Sequence, residues 1–251
     1  MGYDLDGKRV LVTGGSAGLG AAIAEGFAER GAIVGICGRR EDKLAEVTDR
    51  LRAHTSGSRS WQVDLADLDA ISPFADLVVR ELGGLDVLVN NAGIPKRRWA
   101  WDLTPQVVEE VMRINYLSPV ALTLALLPRL IESSGRIVNI SSVAARLSPP
   151  DEAAYSASKA ALTAFAEGLS VDLQVAGHPV GVHVVNPGVF DTELFHLPDN
   201  DDSISDVEAL PVADIVPPIV EMLDAGTFEI YVPGWFTDVV PGKFPDPGPF
   251  L

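Results

Sequence analysis

Residues 9–27 read RVLVTGGSAGLGAAIAEGF, and this stretch decides the fold. A short β-branched run is followed by Gly14, Gly18 and Gly20, and then by an alanine-rich helical pattern. Glycine lets the backbone turn tightly and approach a pyrophosphate, and the free N–H groups at the start of a helix favour an anion. The spacing G-x-x-x-G-x-G between the first strand and the first helix therefore predicts a dinucleotide-binding loop.

Short apolar runs alternate with longer helical patterns along the rest of the chain. The predicted strands after the first are AIVGIC, SWQVD, LDVLVNNAG, GRIVNISS, PVGVHVVNPG and FEIYVPG. The longer helical patterns cover residues 18–30, 40–53, 104–132, 152–176 and 212–225. Strands such as DVLVN are almost continuously apolar, which is typical of parallel strands buried on both faces. The pattern predicts one α/β domain over residues 1–251, a Rossmann-like, doubly wound parallel sheet of about seven strands flanked by helices.

Two segments interrupt this alternation. Residues 197–211, LPDNDDSISDVEALP, are polar and acidic, and we expect them to form a mobile loop near the substrate. Residues 233–251 are rich in proline, glycine and aromatic residues, which predicts an irregular C-terminal tail.

Composition limits the classes of partner. The chain has 19 basic and 35 acidic residues and a net charge of −16, which argues against nucleic acid or an anionic membrane as the main partner. The longest apolar run, PVALTLALLP, is too short to span a bilayer. Cys37 is the single cysteine, which fits a reducing compartment, and we expect a cytoplasmic protein. The four histidines show no metal-ligand spacing, so no metal site is predicted.

A tyrosine and a lysine lie one helical turn apart in AAYSASKAAL, residues 153–162. Tyr155 and Lys159 share a helix face at spacing i, i+4, among small residues that leave the face open to close approach. A nearby ammonium group favours a phenolate and lowers the phenol pKa from about 10. That change would suit general acid–base catalysis. The alternative is a solvated lysine that happens to lie beside a tyrosine, and the pair alone does not decide between them.

Six motifs in order carry a family resemblance. They are TGGSAGLG at 13–20, NNAG at 90–93, Asn115 in RINYLSP, Ser142 in VNISSVAA, YSASK at 155–159 and NPGVFDT at 186–192. Together they resemble the classical subfamily of the short-chain dehydrogenase/reductase family, from about residue 7 to residue 232.

The resemblance implies an oxidoreductase that transfers a hydride between NADP(H) or NAD(H) and a carbonyl compound or secondary alcohol. It assigns proton transfer to Tyr155, nicotinamide-ribose binding to Lys159, and support of the substrate oxygen to Ser142. The adjacent Ser141 is the competitor of Ser142. Asn115 would hold a water that connects the lysine to solvent, and the alternative is an exposed asparagine in the middle of a helix.

The resemblance also implies the contacts with the cofactor. Asp64 would accept a hydrogen bond from the adenine amino group, unless it only caps a helix. Val189 and Thr192 would hold the carboxamide. The full set of expected cofactor-binding residues is Gly14, Ser16, Gly18, Leu19, Gly20, Arg39, Asp64, Leu65, Asn90, Gly93, Tyr155, Lys159, Pro187, Val189 and Thr192.

The end of the second strand predicts the choice of cofactor. In this fold an acidic residue there usually binds the ribose 2′-hydroxyl and selects NAD. Here the position is Gly38, and Arg39 and Arg40 follow it. A guanidinium forms charge-assisted bonds to phosphate, and Ser16 would add a hydroxyl donor. We therefore expect NADP, with NAD the less favoured cofactor, unless the arginines are merely solvated at the start of the next helix.

Aromatic residues in two loops predict an apolar or aromatic small-molecule substrate. The loop after NNAG carries Trp99 and Trp101, and the loop after Pro187 and Gly188 carries Phe190, Leu194 and Phe195. Both loops follow strand ends, where open α/β sheets bind ligands. The alternative is that these side chains pack in a core or a subunit contact.

Two other functions remain open at this point. A 3-oxoacyl thioester reductase of lipid metabolism would use Lys96, Arg97 and Arg98 to meet an acidic carrier, although the acidic residues 197–211 would repel one. A non-catalytic NADP(H)-binding regulator would not need Ser142, Tyr155 and Lys159 together. Apolar stripes on helices 104–132 and 152–176 predict contact with a neighbouring subunit, and the family resemblance implies a homodimer or homotetramer.

Overall fold

A computed structural model describes residues 3–196, 199–201 and 207–243. Its seven strands are β1 (Arg9–Thr13), β2 (Ile33–Gly38), β3 (Arg59–Gln62), β4 (Val87–Asn90), β5 (Arg136–Ile140), β6 (Gly181–Pro187) and β7 (Glu229–Val232). They form one sheet in the order β3-β2-β1-β4-β5-β6-β7, and every neighbouring pair is parallel. The predicted doubly wound, Rossmann-like sheet is confirmed.

Helices connect the strands. They are α1 (Gly18–Ala28), α2 (Glu41–His54), α3 (Ile71–Leu82), α4 (Pro105–Met112), α5 (Ser118–Glu132), α6 (Ala144–Leu147), α7 (Ala153–Val175), α8 (Val216–Ala225) and α9 (Phe236–Val239). Short 3₁₀ turns cover Leu68–Ala70, Glu193–His196, Val212–Ile215 and Val240–Lys243.

Two apolar cores lie on opposite faces of the sheet. Successive residues of a strand point to opposite faces, so in β1 Val10 and Val12 pack in one core and Leu11 in the other. Phe27 of α1 fills the first core, and Leu122 of α5 fills the second. This two-sided burial explains why the central strands are apolar along their whole length.

The order of the strands fixes where a ligand can bind. β1 lies between β2 and β4, so the chain direction across the sheet reverses at β1. In open parallel sheets the crevice at this switch point, at the carboxyl ends of the strands, receives the ligand. The glycine loop follows the carboxyl end of β1, and residues 90–93 follow the carboxyl end of the neighbouring strand β4.

The long helix predicted over 104–132 is interrupted. α4 and α5 are joined by a π-helical turn, Arg113–Leu117, and Asn115 is fully buried inside that turn. The alternative of an exposed mid-helix asparagine is therefore wrong. Insertions of this kind occur frequently at functional sites.

The combined helical run Pro105–Glu132 is long and apolar enough, by length and composition, to cross a bilayer. The helix was predicted over 104–132, but its length was compared with a bilayer only for the ten apolar residues PVALTLALLP. In its most apolar window 39% of the residues are buried against the rest of the fold, and core helices of globular proteins pass the same test.

The two segments without regular periodicity are described in part. Of residues 197–211, the positions 199–201 and 207–211 are described, and the remainder of the predicted loop lies outside the described residues. In the tail, α9 and the following 3₁₀ turn bury Phe236 and Val240, and residues beyond 243 lie outside the described part.

Candidate active site

The glycine loop after β1 has a conformation that only glycine allows at its key positions. Gly14 has φ +65°, and a Cβ there would lie 2.9 Å from the Cα of Ala92. A Cβ on Gly20 would lie 2.3 Å from the carbonyl oxygen of Gly14. Gly18 has φ +54°, and a Cβ there would lie 3.2 Å from Cγ2 of Thr192. The loops after β1 and β6 therefore face each other closely across the crevice.

The start of α1 fits an anionic group. Its N-cap residue is Ala17, which offers no side-chain hydrogen bond, and the first turn of the helix contains no acidic residue. Within the described residues, no N-cap side chain therefore accepts a hydrogen bond from the first N–H groups of α1. Together with the close-packed glycines, they make a cradle that suits the pyrophosphate of a dinucleotide.

Asn91 is a positioning residue that sequence reasoning missed. Its Nδ2 donates to the carbonyl oxygen of Thr13 at 2.9 Å, and its backbone N–H donates to Thr13 Oγ1 at 2.9 Å. These bonds join the ends of β1 and β4. Its neighbour Asn90 points inward, where Nδ2 donates to Thr123 Oγ1 and Asn139 Oδ1, both at 3.0 Å. The repeated asparagine in NNAG is the signal that could have separated the two roles.

The end of β2 brings Ser16 and Gly38 together. A Cβ on Gly38 would lie 3.3 Å from Ser16 Oγ, so the serine faces the position that an acidic residue usually occupies. Arg39 is exposed, with no ion-pair partner among the residues that the structure describes. Arg40 instead pairs with Glu193 of the loop after β6, with Nη1 and Oε2 2.8 Å apart.

Asp64 and Leu65, expected at the adenine, lie after β3. Asp64 is exposed, and its Oδ1 accepts a hydrogen bond from the N–H of Ala66 at 3.0 Å. The N-cap of the next helical turn is Asp67, which accepts from the N–H of Asp69, so the alternative that Asp64 caps a helix is wrong. The Leu65 side chain is buried in the second core, which leaves its backbone as the part able to meet a cofactor.

Lys159 is buried close to Tyr155. Its side chain is only 3% exposed, and Nζ donates to the carbonyl oxygen of Ile140 at 2.8 Å. Nζ lies 5.7 Å from the centre of the Tyr155 ring. A Cβ on Gly93 would lie 3.4 Å from Nζ and 3.2 Å from Asn115 Oδ1. The loop after β4 thus passes directly over the lysine and the asparagine.

The amide of Asn115 ties this loop to α7. Its Oδ1 accepts from the N–H of Ile94 at 2.8 Å, and Nδ2 donates to the carbonyl oxygen of Ile94 at 2.9 Å. Nδ2 also lies 3.0 Å from the hydroxyl of Ser158, which in turn donates to the carbonyl oxygen of Tyr155. The side chain therefore positions the helix that carries the tyrosine.

The structure distinguishes the two serines after β5. Ser141 Oγ lies 2.9 Å from Thr163 Oγ1 and 3.2 Å from the carbonyl oxygen of Lys159, so its hydroxyl is used in packing against α7. The Ser142 hydroxyl accepts from the N–H of Ala144 and lies near Tyr155, where its hydrogen bond lowers the phenol pKa. The geometry favours Ser142 over its neighbour as the partner of the tyrosine.

Burial dominates the titration of both groups on α7. Desolvation raises the pKa of Tyr155 above its usual range, and the Glu152 carboxylate raises it further. Ser142 and Arg97 act in the opposite direction without reversing the shift. Desolvation also lowers the pKa of Lys159 to about 8. The predicted lowering of the Tyr155 pKa is not seen, because loss of hydration raises it.

The predicted substrate residues do not all line the crevice. Trp99 and Trp101 stack with ring centres 4.9 Å apart, and Trp101 is 76% exposed. Leu194 is partly buried in the 3₁₀ turn after β6. Phe190 is only 2% exposed and belongs to the first core, so its assignment to the substrate is wrong.

A short backbone bridge accompanies the burial of Phe190. After β6, Phe190 makes a short parallel backbone bridge with Leu210, and the Phe190 side chain lies in the first core with Leu210 packed against that core. The side chain of Phe195 lies outside the described residues.

The three basic residues after NNAG are paired within the chain. Lys96 Nζ lies 2.7 Å from an oxygen of Asp199, and Arg98 pairs with Asp199 and, at 3.0 Å, with Asp201. Arg97 is buried and pairs with Glu152 at 3.2 Å. Sequence reasoning treated this basic run and the acidic segment 197–211 as opposing features, whereas they contact each other. Opposite charges in separate loops were the available signal.

No group of three histidine, cysteine or carboxylate side chains is placed to hold a metal ion within the described residues.

The comparisons with known proteins agree with this geometry. The sequence model of a family described as short chain dehydrogenase matches residues 8–202. The chain belongs to the short-chain dehydrogenase/reductase family. It is similar to a short chain dehydrogenase from Pseudocercospora fijiensis, with 38% identity over 199 residues, 76% of this chain and 62% of the relative. It is also similar to dehydrogenase/reductase SDR family member 7B from Bos taurus, with 39% identity over 192 residues, 74% of this chain and 58% of the relative.

These relatives are longer than this chain, which spans about three fifths of their length. Among solved structures, a short-chain dehydrogenase/reductase from Burkholderia phymatum in complex with NAD shares the fold. Its TM-score is 0.87 at 24% identity, covering 97% of this chain and 95% of that one. The chain is therefore a member of an oxidoreductase family whose proteins use NAD or NADP.

Proposed function

We propose that the protein is an NADP(H)-dependent oxidoreductase that interconverts a carbonyl compound and a secondary alcohol, with Tyr155 as the general acid and base. The observation that carries the proposal is the convergence of Tyr155, Ser142 and Lys159 at the carboxyl ends of β4 and β5. The glycine loop and the start of α1, whose geometry suits a dinucleotide, lie at the same end of the strands.

The reaction needs one hydride and one proton. NADPH, when bound, supplies the hydride to the carbonyl carbon, and the π electrons of the C=O bond move to oxygen. The Tyr155 hydroxyl gives its proton to that oxygen, and Ser142 donates a hydrogen bond to it. The resulting phenolate then takes a proton from solvent, and in alcohol oxidation each transfer runs in reverse.

Lys159 has an electrostatic task in this scheme. Burial lowers the pKa of Lys159 to about 8, which is still above neutral pH, so the side chain stays mostly protonated although it is buried. A positive charge in a desolvated site acts more strongly on a phenolate than the same charge in water. Lys159 therefore stabilises the charge that appears on Tyr155 after proton transfer, and the family resemblance assigns to the same amine a hydrogen bond to the nicotinamide ribose.

The preference for NADP(H) rests on the residues at the end of β2. Gly38 brings no carboxylate that would repel a 2′-phosphate, Ser16 faces it, and Arg39 is exposed beside it. Arg40 is held by Glu193, which makes Arg39 the better candidate to bind the phosphate. Direct contact of one guanidinium with the phosphate explains the preference.

The substrate is an apolar or aromatic small molecule in this proposal. The stacked Trp99 and Trp101 offer a flat apolar surface in the loop after β4. Reduction of an acyl thioester on an acidic carrier has less support, because Lys96 and Arg98 already pair with Asp199 and Asp201.

Two exposed apolar faces support self-association. Leu117 and Leu124 lie exposed on or beside α5, and Val171 and Val175 lie exposed on α7. Apolar side chains grouped on long helices are typical of subunit interfaces, so we propose a homodimer or homotetramer. Sedimentation at micromolar concentration tests this assembly, and a monomer alone would contradict it.

The activity is tested by following the oxidation of NADPH and of NADH with the wild-type protein across ketones, aldehydes, quinones, steroids and acyl thioesters. We expect turnover with apolar carbonyl compounds and a higher kcat/KM with NADPH than with NADH. Tight NADPH binding without turnover of any compound would favour the non-catalytic regulator instead.

A further inference from the structure

We propose that Arg97 and Glu152 form a positioning pair for Tyr155, in which the guanidinium neutralises a carboxylate that would otherwise oppose formation of the phenolate. The inference rests on the proposed role of Tyr155 as the acid and base. It assigns a function to two residues that the family motifs do not contain.

The pair is built into the interior. Arg97 Nε lies 3.2 Å from Glu152 Oε1, and the two side chains are 4% and 13% exposed. The backbone of the loop is fixed on both sides of the arginine, because the N–H of Arg97 donates to Asn200 Oδ1 and the N–H of Arg98 donates to the carbonyl oxygen of Asp151. The guanidinium is therefore delivered to Glu152 by an ordered loop.

Glu152 precedes Tyr155 by about one helical turn at the start of α7. It is the N-cap residue of this helix, and Tyr155 lies three residues further on. Residues at spacing i, i+3 are neighbours on one helical face. Both Glu152 and Arg97 act electrostatically on the phenol, the carboxylate raising its pKa and the guanidinium lowering it.

Stability alone does not account for such a pair. Removing two charges from water often costs as much as their mutual attraction returns, so an apolar pair of similar volume would stabilise the fold at least as well. Burial raises the pKa of Glu152, and the charge of Arg97 partly offsets that effect. Buried, mutually compensating charges beside a reactive group are typical of functional sites.

Other charged groups around the start of α7 are compensated locally. Arg113 pairs with Glu109 at the junction of α4 with the π-helical turn, and Arg146 of α6 pairs with Glu167 and Glu229.

Three further groups lie nearer to the pair. Lys96 pairs with Glu110 and Asp199, and Lys159 approaches the ring from within α7. Asp151 is next to Glu152, and its pKa is raised by burial and lowered by Arg97. Among all these groups, Glu152 raises the pKa of the phenol and Arg97 lowers it. Both can be substituted without changing Lys159.

The test is the pH dependence of kcat/KM for oxidation of an aryl secondary alcohol by NADP⁺, where the rate rises as Tyr155 loses its proton. Glu152→Gln should move the rising limb to lower pH, by about one pH unit. Arg97→Gln should move it to higher pH by a similar amount, since Glu152 is then an uncompensated anion. The double variant Arg97→Gln/Glu152→Gln should return the limb close to its wild-type position.

Three controls separate this effect from a structural one. Arg97→Lys keeps the charge and should restore the wild-type limb, even if Arg97→Gln folds poorly. Asp86→Asn breaks another partly buried ion pair, the one with Arg9 at the amino ends of the strands. This variant should reduce stability without moving the rising limb of the pH profile. In a Tyr155→Phe background, Glu152→Gln should have no effect on the pH dependence of any residual rate.

The outcomes are distinguishable. If the limb depends on Tyr155 and stays in place in Glu152→Gln, the positioning role is wrong and the proposed function stands. If Tyr155→Phe retains the wild-type rate and limb, the proposed function is wrong and this inference falls with it.

Discussion

The two ends of the crevice carry charge in different ways. At the β2 end, Arg39 and the Arg40–Glu193 pair are largely exposed. At the α7 end, Lys159 and the Arg97–Glu152 pair are buried. Exposed charges interact through water and are screened by salt, whereas buried charges act strongly on each other and on nearby titratable groups. We infer that the first end selects a cofactor, and that the second end adjusts proton transfer.

Among the charged groups at the two ends of the crevice, the largest effect should come from removing the buried ammonium of Lys159. We expect Lys159→Met to lower kcat/KM by at least ~100-fold, in line with the loss of support for a general acid–base group. NADPH affinity should fall as well, because the same amine is assigned to the ribose. Steady-state kinetics and fluorescence titration with NADPH measure the two losses.

Lys8→Met is the matched control for this variant, because Lys8 lies just before the amino end of β1, at the other end of the strand from the candidate site. It should leave both quantities near wild type. Equal losses in the two variants would show that net charge, and not the position of Lys159, matters.

A smaller and more selective effect is expected at the β2 end. Arg39→Ala should weaken NADPH binding by about 10- to 100-fold, which corresponds to roughly 1.5–3 kcal/mol for one charged hydrogen bond. NADH binding should change little, since NADH lacks the phosphate. Binding constants for both cofactors, measured on the same preparation, test the selectivity.

Arg40→Ala provides the comparison for Arg39→Ala. Because Arg40 pairs with Glu193, its removal should weaken NADPH less than removal of Arg39 does. A larger loss from Arg40→Ala, or equal weakening of NADPH and NADH by Arg39→Ala, would reject the assignment of the phosphate to Arg39.

The smallest expected effect concerns stability and pH. The pKa of Lys159 is about 8 in the folded protein and near 10.5 when exposed, so between these values the unfolded chain binds more protons. The free energy of unfolding should therefore gain a contribution from Lys159 as pH rises from 8 to 10.5. Below pH 8 the penalty for burying the charge is present in full.

Urea unfolding of the cofactor-free protein at several pH values measures this contribution, and Lys159→Met is the reference. The difference in stability between wild type and Lys159→Met should shift in favour of wild type over this range. A difference that is independent of pH would mean that the lysine is hydrated when the protein is folded.

The sequence predicted those features that depend on local order along the chain. The glycine loop, the seven parallel strands and the spacing of Tyr155 and Lys159 each follow from residues close in sequence, so periodicity and motifs suffice. Phe190 was assigned to the substrate because its loop follows a strand end, but it is buried in the core beside Leu210, a residue 20 positions further along the chain.

Other features depend on partners distant in the chain or on hydration. The pairing of Arg97 with Glu152 joins residues 55 positions apart, and that of Lys96 with Asp199 joins residues 103 apart. No local pattern specifies such partners. The direction of the Tyr155 pKa shift was also missed, because spacing shows the approach of Lys159 but not the loss of hydration that raises the phenol pKa.

The central claim is that Tyr155 transfers the proton, and Tyr155→Phe tests it most directly because it removes the hydroxyl and little volume. We predict that kcat falls by about 10²- to 10⁴-fold in NADPH-dependent carbonyl reduction, the usual contribution of a general acid. The NADPH dissociation constant should stay near that of wild type. Tyr3→Phe alters a tyrosine whose ring lies beside Arg136, at the amino ends of the strands and away from the candidate site, and this variant should retain full activity. Near-normal turnover by Tyr155→Phe would contradict the account.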